Sequence, residues 1–553
     1  MAGRPWRRGM RRPETQGAAP PTQPRAMPCA DAASCAPRRT TAQTRNPCLS
    51  QADQTPIRDG ELLAAVDMGS NSYHLIVARM EHGEPRVIDR LRDSVRMAAG
   101  LRSDGSLDAD RRARALDCLA RFGQRIAGLP SQRVRAVATN SVRRLAAPQA
   151  FLSAAEAMLG HPIEVVSGRE EGRLIFLGAA HGLPVSREPR LVMDVGGGST
   201  EFIIGRGLAP LHTESVQAGC IASTLRFFPG GKLNRKRWQR ARGEIGVLLQ
   251  QFAEDYRESG WEDAYGSSGS AKAIGAVVQA MKLSDDGITP ASLAGLRDAI
   301  LAQGSIATLK LPGLADDRAP VLAGAVVIFE AAFEALGIAR MRVCESSMRE
   351  GLMWDLLGRA AGSDPRTGSI DALASRYGVD RAQARRVEST ALQLFDQVAK
   401  AWKLDGEARE WLSWAARVHE IGLAIAHSQH HHHGAYILRH ADLAGFSRQE
   451  QQLLAAVVEL HRRKPDKAVI AALPQRYRQL ARYITSLLRL AVLLRRGRRA
   501  ESLPPMKLAA TRQRLRLGLP ASWLEQHPLS EADLQQEQAP MGELGVELEL
   551  SAG

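Results

Sequence analysis

Aromatic side chains make up only 5% of this 553-residue chain. Nowhere do they interleave with the basic stretches, so the sequence has no stacking platform for single-stranded nucleic acid. Cysteine is scarce as well, with six in all. Cys29, Cys35 and Cys48 fall in an N-terminal tail, and Cys118, Cys220 and Cys344 are scattered without a C-x-x-C pair. That excludes a disulfide framework and fits a reducing compartment. No apolar stretch approaches the ~20 uninterrupted residues of a membrane span. The N-terminus also lacks the apolar run of a secretory signal. The expectation is a cytoplasmic protein, with at most peripheral contact at the inner face of the cell membrane.

What the chain does have is ordinary core material and an excess of positive charge. Hydrophobic residues are 44% and charged residues 24%, enough for several packed domains. The net charge is +15, which points to a polyanionic partner. About half of it sits in residues 1–58, with ten Arg against three acids. This Pro-, Ala- and Thr-rich segment has no hydrophobic period and reads as a disordered basic tail. It is either an extension without function (Met27 is an alternative start) or an arm for an anionic surface.

One motif occurs twice. Asp67-Met-Gly69-Ser70-Asn71-Ser72 and Asp194-Val-Gly196-Gly197-Gly198-Ser199 both read D-x-G-x-x-S, 127 positions apart (194 − 67). Each Asp ends an apolar run, and each Ser is followed by a second run. Strand, glycine turn, strand is therefore expected twice. Such a turn brings backbone N–H groups close to an anion. Facing copies would grip a phosphorylated substrate from both sides.

Alternating strand and helix patterns run from 61 to about 185 and again from 190 to about 360. The strand after each turn sets these units apart from Rossmann and P-loop folds, where the glycine turn leads straight into a helix. Residues 361–368 read as a linker. A mostly helical stretch follows to about 498, and the last fifty residues read as a small α/β piece.

Several further residues have both a plain and a chemical reading. Ser167-Gly-Arg-Glu170 is a capping box, which gives Glu170 a structural task and leaves Glu171 free. Glu171, one turn into that helix, is a solvated acid or a base for an attacking water. Asp194 and Glu201 flank one turn and form either a cross-strand pair or a Mg²⁺ site. Gly269, Ser270 and Lys272 open a helix, a plain turn or an anion site. The run His430–His433, with His419, His427, His440 and His461, resembles a metal site but reads more simply as an exposed loop between helices.

The two turns, with Ile163-Glu-Val-Val-Ser-Gly-Arg-Glu-Glu171-Gly-Arg173, Phe228-Pro-Gly-Gly231, Gly266-Ser-Ser-Gly-Ser270 and Met348-Arg-Glu-Gly351, resemble the exopolyphosphatase and guanosine pentaphosphate phosphohydrolase family over residues 61–553. The stretch Leu-Ala-Ile-Ala-His427 to Tyr436-Ile, followed by Leu460-His461-Arg462-Arg463-Lys464, looks closest to the bacterial exopolyphosphatases. The resemblance implies an α/β fold of two actin-like (ribonuclease H-like) domains, 59–188 and 189–360. An all-helical domain resembling a degenerate His-Asp phosphohydrolase (361–498) and a small C-terminal domain (499–553) would follow. It further implies Glu171, as base, with Asp194 and Glu201 as the catalytic residues, and the same three carboxylates as those that organise water or Mg²⁺. The implied phosphate-binding set is Asp67, Gly69, Ser70, Asn71, Ser72, Thr139, Asn140, Ser141, Arg143, Gly196, Gly197, Gly198, Ser199, Thr200, Gly269, Ser270, Lys272 and Arg349. The implied activity is processive hydrolysis of inorganic polyphosphate. Guanosine pentaphosphate hydrolysis at the same site, a non-catalytic polyphosphate binder and an actin-like kinase are the alternatives. A homodimer is implied by resemblance alone.

Overall fold

The structure, a computed structural model, describes residues 57–552; the tail read as disordered lies almost wholly outside them. Thirteen strands form three sheets among the described residues. The first sheet contains β1 (Leu62–Met68), β2 (Tyr73–Glu81), β3 (Glu84–Asp93), β4 (Val134–Ala138) and β5 (Ile163–Val165), in the order β3-β2-β1-β4-β5. The second contains β6 (Arg190–Val195), β7 (Thr200–Arg206), β8 (Ala209–Val216), β9 (Asp263–Gly266) and β10 (Arg342–Val343), in the order β10-β9-β6-β7-β8. The two orders are the same path. The first three strands pair antiparallel and the last two join parallel, in each sheet. Even the β-bulge recurs, at Val77/Ala78 and at Ile204/Gly205, 127 positions on (204 − 77). The sequence repeat is therefore a repeat of fold, and both units have the actin-like path.

Strand alternation decides what each face touches. In β1, Ala64, Val66 and Met68 pack outward under the helices Ala109–Arg125 and Pro148–Leu159. Leu63 and Ala65 pack inward. In β6, Leu191, Met193 and Val195 join the outer core of the second unit, and Val192 the inner one. The inner core is shared: the helices Gly168–Gly182 and Met348–Ala360 lie in it between residues of both sheets. By the same parity Asp67 and Asp194, at the C-terminal ends of β1 and β6, face inward.

The Met348–Ala360 helix follows the second sheet in the chain but returns to the first. It crosses the Gly168–Gly182 helix where Gly351 meets Gly178. A Cβ on Gly351 would run into the Leu174 carbonyl oxygen, and one on Gly178 into that of Ser347. Backbone contact this close is open to glycine alone.

In the second unit Cys220–Phe227, Arg235–Leu249 and Ala253–Ser259 are three separate helices. The helix Ala319–Leu336 is the one described helix long and apolar enough to cross a membrane. It is the central core helix of the second unit, and its buried Glu330 accepts a bond from Trp238 Nε1 at 2.6 Å. Beyond residue 364 a helical region packs with the sheet β11 (Lys507–Ala510), β12 (Arg514–Leu519) and β13 (Glu547–Ala552) around one continuous core. The linker is shorter than read, because a helix already starts at Pro365. The histidine run is not a loop: His430–His440 is helical, and His430 and His431 are buried.

Gly351→Ala should cost about 3 kcal/mol of stability, because the obstructing atom is backbone. Gly243→Ala, in an exposed helix position with no atom within 4 Å, should instead add about 1 kcal/mol. Denaturant unfolding of both variants checks the pair; similar effects from the two would refute the crossing.

Candidate active site

Four helices begin at one cleft of about 280 Å³ between the two sheets. They are Gly168–Gly182, Cys220–Phe227, Gly269–Ala280 and Met348–Ala360, whose first turns contribute Glu171, Cys220, Gly269, Ser270, Lys272, Met348 and Arg349 to its wall. Their positive ends converge on the same space. The two glycine turns line it as well, through Asp67, Gly69, Ser70, Asn71 and Ser72 from one and Asp194, Gly196, Gly197 and Ser199 from the other. The turns touch: a Cβ on Gly197 would stand 3.1 Å from Ser70 Cβ. Glycine at that position is what lets the two repeats close on each other.

Three carboxylates face this cleft. Asp194 Oδ2 accepts from Ser267 Oγ at 2.7 Å and Ser347 Oγ at 2.9 Å, so strand ends and a helix start fix it. Glu171 Oε2 accepts from Arg143 Nη1 at 3.0 Å. Asp67 Oδ1 is buried without a partner. Burial raises the pKa of all three; for Asp67, Glu171 and Asp194 add to the effect and Arg349 opposes it, giving about 8. Glu201 stands opposite Asp194 in the β6–β7 register and on the same face. It is set behind Asp194 rather than on the cleft wall, and its Oε1 accepts from Ser215 Oγ at 2.8 Å. Burial first, and then Glu171 and Asp194, push its carboxyl well up.

Six expected contact residues therefore stand behind the wall. Besides Glu201 they are Asn140, Ser141, Arg143, Gly198 and Thr200. Asn140 Nδ2 donates to Gln217 at 2.8 Å, and Thr200 Oγ1 donates to the Ala218 carbonyl. Arg143 is committed to Glu171 and, at 2.7 Å, to the Val166 carbonyl. Both bonds use Nη1, which orients the acid; Nη2 is buried without a partner. Thr139, Gly269, Ser270, Lys272 and Arg349 do line the cleft. Lys272 is shared with Glu345 at 2.6 Å. The capping box is half made: Ser167 Oγ accepts from Glu170 N at 3.1 Å, but the Glu170 carboxylate turns to Arg173 and to the Gly445 N–H instead.

The structure adds residues the motifs did not single out: His74, Arg92, Ser267, Arg318 and Ser347. His74 was within reach of the repeat, since it occupies in the first copy the place of Glu201 in the second (201 − 74 = 127). Arg349 Nη1 donates to His74 Nδ1 at 3.0 Å, which leaves the ring proton on Nε2 to donate to Ser72 Oγ at 2.8 Å. Burial, and then the Arg349 charge, drive its pKa down to about 3, so the ring is neutral. Arg92 stands near the end of β3 and Arg318 just before the Ala319–Leu336 helix.

No three His, Cys, Asp or Glu side chains stand close enough to hold an ion by themselves among the described residues. Asp194, Glu201 and Glu171 thus do not form such a group among themselves. That fits Mg²⁺ shared with substrate, which needs only one or two carboxylates. The unpartnered Asp67 Oδ1 and the inward Asp194 are the side chains suited to it.

A raised acid stabilises the fold only while protonated. Asp67 binds its proton more tightly folded than unfolded, so its contribution is present near pH 4 and is lost as pH rises towards 8. Asp67→Asn should therefore raise the melting temperature of the ligand-free protein, with little gain near pH 4 and a gain that grows to about 5 kcal/mol near pH 8. A gap that stays constant or shrinks across pH 4–8 in thermal melts would contradict this.

Comparison with known proteins agrees with the geometry. The model of the Ppx/GppA phosphatase family matches residues 76–360, and that of Ppx/GppA phosphatase domain III matches 366–538. A guanosine-5'-triphosphate,3'-diphosphate pyrophosphatase of Pseudoalteromonas translucida (strain TAC 125) is 35% identical over 486 residues, 88% of this chain and 97% of its own. An exopolyphosphatase structure from Cytophaga hutchinsonii ATCC 33406 is 22% identical, covering 54% of this chain and 98% of its own with a TM-score of 0.49. The Aquifex aeolicus PPX-GPPA enzyme is 23% identical, covering 53% and 98% with a TM-score of 0.45. With two family models and a relative spanning most of its length, the chain belongs to the Ppx/GppA phosphatase family, whose members are hydrolases of phosphoanhydride bonds.

Proposed function

We propose that the protein hydrolyses terminal phosphoanhydride bonds of inorganic polyphosphate processively, releasing orthophosphate. The observation that carries this is the character of the cleft. Two glycine turns, four helix N-termini and the side chains of Arg92, Lys272, Arg318 and Arg349 surround it, and no Phe, Tyr or Trp lines it. It suits a chain of phosphates; the one ring among its described lining residues, His74, is tied between Arg349 and Ser72. Glu171 takes a proton from water as the water oxygen bonds to the terminal phosphorus. The bond from that phosphorus to the bridging oxygen breaks, and the shortened chain leaves as the anion. Arg143 holds the Glu171 carboxylate in place throughout. Helix ends and cationic side chains offset the charge that develops on phosphate oxygens. Mg²⁺ held by Asp67 and Asp194 would supply further neutralisation of the phosphates.

Guanosine pentaphosphate is the second reading, supported by the 35% identity to the Pseudoalteromonas guanosine-5'-triphosphate,3'-diphosphate pyrophosphatase. The same terminal-phosphate chemistry applies, with the nucleoside left outside the cleft. Orthophosphate release from long polyphosphate and from guanosine pentaphosphate, with and without Mg²⁺, separates the readings; cleavage of the nucleotide alone would overturn the first. Glu171→Ala should retain polyphosphate binding and lose turnover by about 10²- to 10⁴-fold. Binding should also weaken steeply with salt, by analogy with counterion release from nucleic acids.

A further inference from the structure

We propose that Gln449, in the helical region, is a positioning residue for Glu171; this rests on Glu171 being the base in the reading above. In the first sheet β5 is an edge strand. An open edge presents unpaired N–H and C=O groups. Gln449 takes the place of a sixth strand. Its Oε1 accepts from Val165 N at 3.0 Å, and its Nε2 donates to the Ile163 carbonyl at 3.3 Å. All three residues are buried. One carboxamide thus satisfies the donor and acceptor that a neighbouring strand would have used.

The tie continues to the cleft through the next residue. The Val166 carbonyl accepts from Arg143 Nη1, the nitrogen that also donates to Glu171 Oε2. Ser167 then caps the helix that carries Glu171. The segment leading into the helix is therefore clamped from one side by Gln449 and joined on the other to the acid itself.

A second arm reaches the residue next to Glu171. Glu170 Oε2 accepts from the Gly445 N–H at 2.8 Å, and the Gly445 carbonyl accepts from Arg359 Nη2 at 2.7 Å. Arg359 pairs with Asp355 at 2.8 Å, and Asp355 with Arg173 and Arg135. Residues 445–449 form the turn into the Arg448–Leu460 helix, closed by a capping box of Ser447 and Glu450. Glu450 is held in turn by Arg366 at 2.6 Å. The segment is stiff at its base, bonded to the catalytic helix through Gly445 and, through Gln449, to the strand that leads into it. The helical region thereby sets the direction of Glu171 although none of its residues lines the cleft.

Gln449→Met keeps the volume and removes both bonds. In steady-state assays of the full chain, on whichever of the two phosphoanhydride substrates it cleaves, kcat should fall about tenfold with KM within about twofold. Gln449→Asn, which shortens the reach and keeps the carboxamide, should give a smaller loss of the same kind. In an Arg143→Ala background the Gln449→Met effect should shrink below about twofold, because both changes release the same acid. Effects that multiply in the double variant, or an unchanged kcat, would reduce Gln449 to an edge cap and overturn the proposal. Glu171→Gln is measured alongside. If it is inactive while Gln449→Met matches wild type, only the positioning role fails; if it turns over normally, the base assignment fails and takes the positioning role with it.

Discussion

Like charges held close in a half-dry cleft are the constraint on which this structure turns. Asp67, Glu171 and Asp194 line one small space, with Glu201 just behind, and burial makes each harder to ionise. Left alone, such a group would take up protons or open. What makes the arrangement tenable is a second set of fixed charges. Four helix starts, Arg143 and Arg349 surround the acids, and Ser267 and Ser347 hold the most central one. A site built this way is incomplete by electrostatics. Its acids call for a cation and its helix ends call for an anion, which a metal-bound phosphate chain supplies together.

The duplication gave the cleft two walls of the same shape, and the chemistry then diverged on matching positions. At the strand place paired with the turn's Asp, one copy has His74 and the other Glu201. The neutral imidazole links Ser72 to Arg349 and so joins the first turn to the returning helix. The acid is buried behind Asp194, where it accepts from Ser215 and where burial, Glu171 and Asp194 favour its protonated form. Symmetry of backbone with asymmetry of side chain is what lets a two-fold repeat bind a substrate whose two ends are treated differently.

How much of this was readable beforehand follows from the range of the forces involved. The paired turns and the strands and helices around them were largely legible, because alternation, helical period and capping act within a few residues. Arg143 was assigned to phosphate, and only the fold shows its bond to Glu171. Glu170 was expected to close a capping box, but a backbone N–H far along the chain, at Gly445, competes for it and wins. The histidine run looked like a loop because it is polar. Its helix is fixed by contact with Gly422, where a Cβ would strike the His430 carbonyl, and by burial against the Arg448–Leu460 helix. Arg92, near the end of β3, and Arg318, just before the Ala319–Leu336 helix, reach the cleft from elements far from its motifs. Tertiary contacts decided each of these cases.

The return of the Met348–Ala360 helix to the first sheet also constrains how the protein is born. Leu63, Ala65 and Ile76 share their core with Met348, Leu352 and Leu356. An emerging chain that stops short of residue 360 leaves that side of the first sheet without its cover. The second sheet likewise lacks its central layer until the Ala319–Leu336 helix has left the ribosome. Neither unit can be finished before the other, so a duplicated protein whose halves look separable must be completed as one cooperative body.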